Sequence, residues 1–122
     1  MRSTLGKEEK LKHRKLIEQL FKKGLRINSN GMQLIYLKIE HEGDFPIKVG
    51  FSVPKRIMKL AVDRNRLKRR MRETYRKNKH LFYDNISEQY IFMFVYKAKD
   101  ELTYLEIEEL ILKIQSKFLK KT

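Results

Sequence analysis

Cysteine is absent from the 122 residues, which excludes disulfides, thiolate metal sites and cysteine nucleophiles. That absence fits a reducing, cytoplasmic setting, and a cytoplasmic protein is the expectation. Proline occurs twice and glycine five times, and no Pro/Gly/Ser-rich linker, internal repeat or low-complexity tract divides the chain. A single domain over residues 1–122 is expected, with frayed ends at 1–9 and 120–122. Long apolar runs are missing as well. The longest, Tyr90 to Tyr96, is seven residues and cannot span a bilayer. The opening stretch, MRSTLGKEEKLKHRK, lacks the apolar core of a signal peptide.

Acidic residues are scarce relative to basic ones. Lys and Arg number 29 against 15 Asp and Glu, for a formal charge of +14. A charge of that size favours polyanionic partners, nucleic acid before anionic membrane. Its distribution is uneven. Residues 1–30 carry nine cations and three acids, and residues 53–80 carry twelve cations and two acids. The intervening and C-terminal segments are each net −1, as in an ordinary domain.

Catalytic constellations are missing too. The three histidines, His13, His41 and His80, are scattered, and no His-x-x-x-His or Glu-x-x-His pair occurs. Paired carboxylates at metal spacing and Gly-rich phosphate loops are absent. The isolated chain is expected to have no catalytic residues of its own and no metal site. Asp63 reads as a capping or first-turn acid of a helix.

What is present is enough for a core, with 41% hydrophobic residues. Leu16, Ile17, Leu20 and Phe21 form a helical stripe over Arg14–Lys23, with Gly24 placed as a C′ residue. Asn28 to Gly31 is turn chemistry, and so is His41 to Asp44. Met32–Glu40 reads as a strand with Ile35, Leu37 and Ile39 on one face and Met32, Leu34 and Tyr36 on the other. Pro46–Val53 reads as a second strand, expected to pair with the first as a hairpin. A helix follows from about Leu60 to Lys77, then an irregular stretch over Lys79–Glu88. YIFMFVY, Tyr90 to Tyr96, is a short buried strand. Thr103 and Glu106 form a capping box ahead of a last helix striped by Ile107, Leu110, Ile111, Ile114 and Phe118. The fold class is α+β, in the order α-β-β-α-β-α, with helices covering one face of a small sheet.

The densest charge is RNRLKRRMR, Arg64 to Arg72, with six cations in nine residues and no acid. At 100° per residue, Leu67, Met71, Thr74 and Tyr75 occupy roughly a third of the helix circumference, the share a packed helix buries. The cations spread over the rest, interrupted by Glu73. A solvated helix ordinarily mixes signs to gain i, i+4 pairs, and this one does not. Arginine predominates, which suits bidentate contact with phosphates. Membrane insertion would need the apolar face that the core requires. A DNA reader would need base-edge side chains, and a coat of Arg and Lys with one Asn offers few. Structured RNA, tracked by shape along its phosphates, fits best.

The stretch KVGFSVPKRIMKLAVDRNRLKRRMRE, Lys48 to Glu73, strongly resembles the signature of the bacterial ribonuclease P protein subunit. Its core is Arg64, Asn65 and Arg66, followed by Lys68, Arg69 and Arg72, and the spacing matches without a gap. Weaker resemblance extends over nearly the whole chain, including the Leu20–Phe21–x–x–Gly24 helix end and DELTY, Asp100 to Tyr104. The resemblance implies a two-layer sandwich with a small mixed sheet, like one found in ribosomal proteins, containing a left-handed βαβ crossover. It implies that the partners are a catalytic RNA and precursor tRNA, with no part for membrane or DNA. Together the subunits would remove the 5′ leader hydrolytically, and Mg²⁺ held mainly by the RNA would serve the chemistry. Catalytic-RNA contacts are expected from Arg64, Asn65, Arg66, Lys68, Arg69, Arg72 and Arg76.

The resemblance further implies that the leader lies in a cleft between the first helix and the sheet. A single strand is held by aromatic platforms in a positive groove. Phe21, Tyr36 and Phe51 are the candidate aromatics, with Ile17 and Ile35 at positions that are often aromatic in the family. Phe92 and Phe94 are either core residues or part of the cleft floor. Lys55, Arg56 and Lys59 could serve leader phosphates or catalytic-RNA phosphates, and Lys10, Lys12, Arg14 and Lys15 are further candidates. The alternative function is a structural RNA-binding module, of the ribosomal or RNA-chaperone kind, with no part in cleavage.

Overall fold

The computed structural model describes residues 9–41 and 45–121. Its elements run α1 (Arg14–Lys23), β1 (Leu25–Ser29), β2 (Met32–Lys38), β3 (Ile47–Ser52), α2 (Ala61–Tyr83), β4 (Tyr90–Tyr96) and α3 (Tyr104–Lys121). The strands form one mixed sheet in the order β1-β2-β4-β3. β4 is the organiser. Every residue in it is buried, and it pairs antiparallel with β2 and parallel with β3. A strand apolar on both faces belongs in the middle of a covered sheet.

That placement corrects the expected hairpin between Met32–Glu40 and Pro46–Val53. β2 instead pairs with β1, a strand that the local pattern does not announce, through a tight connection at Asn30 and Gly31. Gly31 has φ 95°, a left-handed conformation open to glycine at little cost. The turn expected at His41–Asp44 extends into residues 42–44, outside the described residues.

The helices also divide differently from expectation. α2 and α3 cover one face of the sheet over a core that includes Leu67, Met71, Tyr75, Phe92, Phe94, Ile111 and Phe118. α1 lies on the opposite face, where Leu20 packs with Ile35, Ile91, Met93 and Val95. α2 runs six residues beyond its expected end. The extra turns carry Phe82, fully buried and edge-to-face with Phe92 at 5.4 Å. α3 begins with both bonds of its capping box: the Thr103 N–H donates to Glu106 Oε1 at 3.0 Å and the Glu106 N–H donates to Thr103 Oγ1 at 3.2 Å. The bond from the Thr103 amide holds the Glu106 carboxyl below its usual range. The expected fraying falls largely on residues 1–8 and 122, outside the described residues. Glu9 is buried instead, and Lys120 and Lys121 continue α3.

Gly24 ends α1 in an extended conformation, φ −67° and ψ 149°, and not in the left-handed one expected of a C′ glycine. Its small size matters more than its freedom. A Cβ there would stand 2.3 Å from the Leu20 carbonyl oxygen and 2.8 Å from Ile35 Cγ2. Gly24→Ala is therefore expected to push α1 off the sheet and cost about 1–3 kcal/mol, as overpacked sites do. Urea unfolding measures it, and an unchanged midpoint would contradict this close approach.

Candidate nucleic-acid interface

Helix α2 sets the geometry. Leu67, Met71, Thr74, Tyr75 and Phe82 point into the core, which leaves two polar flanks. The flank toward α3 is largely neutralised. Arg66 Nη1 lies 2.7 Å from Glu101 Oε1 and 3.4 Å from Asp63. Arg70 Nη1 donates to the Leu102 carbonyl at 2.7 Å and lies 3.3 Å from Glu101. Lys77 approaches Glu108 at 3.6 Å and sits over the Tyr104 ring. Asp63 lies in the first turn of the helix, and Leu60 is the N-cap.

Two further arginines are engaged locally. Arg64 donates to the carbonyls of Met58, at 2.9 Å, and Lys59, at 2.8 Å, tying the loop before α2 to its first turn. Arg76 pairs with Glu73 at 3.0 Å. Of the seven residues expected to meet a catalytic RNA, Arg64, Arg66 and Arg76 are thus held by internal partners. Lys68, Arg69 and Arg72 have no ion-pair or hydrogen-bond partner among the described residues, and neither has Asn65. At i, i+4 spacing, Lys68 and Arg72 share one side of the helix, with Asn65 and Arg69 next to it.

This open flank faces β3. Arg72 borders a notch of about 190 Å³ with Val49, Gly50 and Phe51 on its floor and Lys10 and Lys12 on its rim. Lys55, Arg56 and Lys59, in the loop after β3, are exposed as well. One side of the molecule therefore carries a field of cations with few internal counter-charges. Such a field attracts a polyanion and releases its counterions on contact.

The expected cleft residues separate onto two layers. Ile17, Phe21 and Ile35 lie on the α1 side. Phe21 is 44% exposed and presents its ring to solvent. Ile35 is buried under Leu20, and Ile17 is half-buried beside it. Tyr36 follows Ile35 in a strand, so its side chain points the other way. It is only 5% exposed, edge-to-face with Phe118 at 5.1 Å, and burial raises its hydroxyl pKa. It cannot offer a ring face to a base in the α1 cleft. Phe51 is also directed to the α2 layer, stacked on Phe94 at 5.9 Å, and touches the cation side only at the notch. Phe92 and Phe94 are fully buried core residues.

Beyond α1, the same face of the sheet continues with polar residues. Gln33 and Ser52 lie in register across Val95 on that face, and Gln33 Nε2 donates to Asn28 Oδ1 at 2.9 Å. Gly50 pairs with Met93 there, and a Cβ on it would meet Met93 Cε at 2.8 Å. Among the described residues, no cluster of three His, Asp or Glu side chains could hold a metal ion. No described helix is long and apolar enough to cross a membrane.

One ionic feature escapes sequence reasoning entirely. Lys79, on the buried side of α2, donates to Glu9 at 2.7 Å, and both side chains are almost wholly inaccessible. The two residues are 70 positions apart, and no local pattern signals such a pair.

The comparisons with known proteins agree with one another. The sequence model of the family described as Ribonuclease P matches residues 5–120. The chain is 31% identical over 115 residues to the "Ribonuclease P protein component" of Chlorobaculum tepidum, covering 85% of this chain and 75% of that protein. It is 37% identical over 89 residues to the protein of the same name from Porphyromonas gingivalis, covering 72% of this chain and 64%, just under two thirds, of its relative. In fold it is similar to the RNase P protein of Staphylococcus aureus, with a TM-score of 0.73, 20% identity and coverage of 90% and 94% of the two chains. The RNase P protein from Thermotoga maritima gives a TM-score of 0.71 at 22% identity, covering 89% and 96%.

Proposed function

Because the chain belongs to the ribonuclease P protein family, we propose that it acts as the protein subunit of a ribonuclease P holoenzyme, binding the catalytic RNA and the 5′ leader of precursor tRNA. The observation that carries this reading is the open flank of α2. Lys68, Arg69 and Arg72 stand on the RNR signature without internal partners among the described residues, supported by Lys55, Arg56 and Lys59 nearby. Cations left uncompensated in the free protein are compensated by phosphates in the complex. In this reading cleavage is the work of the RNA with its Mg²⁺. The protein's part is affinity and placement of substrate, in the cytoplasm, where precursor tRNA is made.

The leader runs along the α1 face, with Phe21 as its exposed aromatic platform and Ile17 beside it. Phe21→Ala is expected to weaken leader binding by about 1–3 kcal/mol, the worth of one base–aromatic stack. Affinity for tRNA lacking a leader should not change. Equal losses on both substrates would move the leader elsewhere.

Reconstitution tests the whole reading. The chain, mixed with ribonuclease P RNA from the same source at low Mg²⁺, should stimulate cleavage of precursor tRNA. RNA binding without stimulation would leave a structural RNA-binding module instead.

A further inference from the structure

The N-terminal segment is attached to the body by an unusual fixture. Glu9 is fully buried, and its Oε2 accepts bonds from Lys79 Nζ at 2.7 Å and from the Tyr83 hydroxyl at 2.5 Å. Lys79 Nζ also lies over the rings of Tyr83, at 5.6 Å, and Phe45, at 5.9 Å. Two residues on, the Leu11 N–H donates to the Val49 carbonyl at 2.9 Å, and Lys10 bridges to Val49 in parallel with β3. Leu11 is buried against the opposite core. The segment is therefore pinned at Glu9 and at Leu11, while Lys10 and Lys12 stay exposed at the notch beside Arg72.

A buried ion pair contributes little to stability over an apolar pair of the same volume, because desolvation offsets its attraction. What it adds is selectivity of register. A slip of one residue would bring Lys10 against Lys79, two buried like charges. A slip the other way would set Glu8 at Lys79 but put Lys10 in the buried place of Leu11. Glu9 and Leu11 together thus allow one alignment of the segment on β3, and that alignment aims two lysines at the open flank of α2.

We propose that Glu9 is a positioning residue for RNA: clasped by Lys79 and Tyr83, it holds Lys10 and Lys12 in line with Arg72, so that the N-terminal segment and α2 bind RNA phosphates as one surface. This rests on the RNA-binding reading given above. Glu9 touches no RNA itself, and its effect passes through the two lysines.

Glu9→Gln raises the net positive charge by one, so electrostatics alone would tighten RNA binding. The proposal requires the reverse. Affinity of the full chain for ribonuclease P RNA should be measured over a series of salt concentrations. Three variants are compared with the unmodified chain: Glu9→Gln, Lys10→Ala with Lys12→Ala, and all three substitutions together. The double lysine variant is expected to bind about tenfold more weakly and to lower the salt slope by about two, the mark of two phosphates no longer neutralised. Glu9→Gln is expected to weaken binding by a similar factor, and the triple variant by no more than either.

Tyr83→Phe guards against a Glu9 variant that fails to fold. It keeps the ring and the net charge and removes one bond to the carboxylate. It should shift affinity in the same direction by a smaller factor and speed exchange of the Leu11 amide, with the Met71 amide in α2 unchanged. If Glu9→Gln and Tyr83→Phe bind RNA as tightly as the unmodified chain, or if the losses multiply in the triple variant, the proposal is overturned. If the unmodified chain itself does not bind the RNA, the functional reading fails first, and the two failures are told apart.

Discussion

Changing Lys68, Arg69 and Arg72 together to Ala is expected to weaken binding of ribonuclease P RNA by about 4–5 kcal/mol, at about 1.5 kcal/mol, the low end for a hydrogen bond to a charged group, for each contact removed. The dependence of affinity on salt should also flatten by about three neutralised phosphates. The size of the effect follows from what these side chains lack. None of the three has an internal partner among the described residues, so phosphates of a bound RNA would supply their first strong counter-charge. Folding stability should hold or rise slightly, because removing neighbouring like charges relieves repulsion along α2. Titration of the RNA at several salt concentrations measures the affinity and its salt slope. A change of less than about threefold, well under the tenfold that 1.4 kcal/mol represents, would show that the open flank faces water in the complex.

Phe118→Ala is expected to have the largest effect on stability, a loss of about 3–5 kcal/mol. The ring is fully buried near the end of α3 and meets Tyr36 at 5.1 Å, Phe92 at 5.1 Å, Tyr90 at 5.3 Å and Phe82 at 5.9 Å. It ties α3 to the end of α2 and to both central strands. Its neighbours are rigid rings that collapse poorly into a void, which places the cost toward the upper end of the range. A small domain holds only about 5–15 kcal/mol in total, so the variant should lose a large share of its cooperative transition. Urea unfolding followed by circular dichroism checks it. A loss below about 1 kcal/mol would mean that α3 does not close the aromatic core.

The parts of this fold legible in the sequence are those decided locally. Thr103 and Glu106 announce the start of α3, and both capping bonds form. The unbroken apolar run of β4 marks the centre of the sheet. The spacing of Leu67, Met71 and Tyr75 gives the buried side of α2. The illegible parts depend on distant partners. β3 cannot be assigned to β4 from its own residues, because pairing is chosen by whole-sheet coverage. The end of α2 is hidden because a lysine, Lys79, occupies a core position, and the distant Glu9 that pairs with it there is not visible in the local pattern.

The site divides in the same way. Charge density alone points to α2, but it does not separate bound arginines from open ones. Arg66 and Arg70 are quieted by Glu101 in the loop before α3, about 30 residues or more away in sequence. Tyr36 shows a different limit. Its strand is legible, yet choosing it as a platform runs against the alternation of that strand: Ile35 holds the α1 face and Tyr36 holds the core. Phe21 needs no such choice, since a helix stripe leaves its edge residue half in solvent.

The central claim is that position on α2, and not charge alone, makes the RNA surface. A charge-matched pair of variants tests it most directly. One carries Gln at Lys68, Arg69 and Arg72, the other Gln at Arg66, Arg70 and Lys77. Both lose three cations from the same helix, and folding of each is verified by circular dichroism before titration with ribonuclease P RNA. The open-flank variant should bind at least about tenfold more weakly than the α3-flank variant, with the larger drop in salt slope. Equal losses would contradict the account, because the RNA would then be responding to net charge and not to the surface that the fold leaves open.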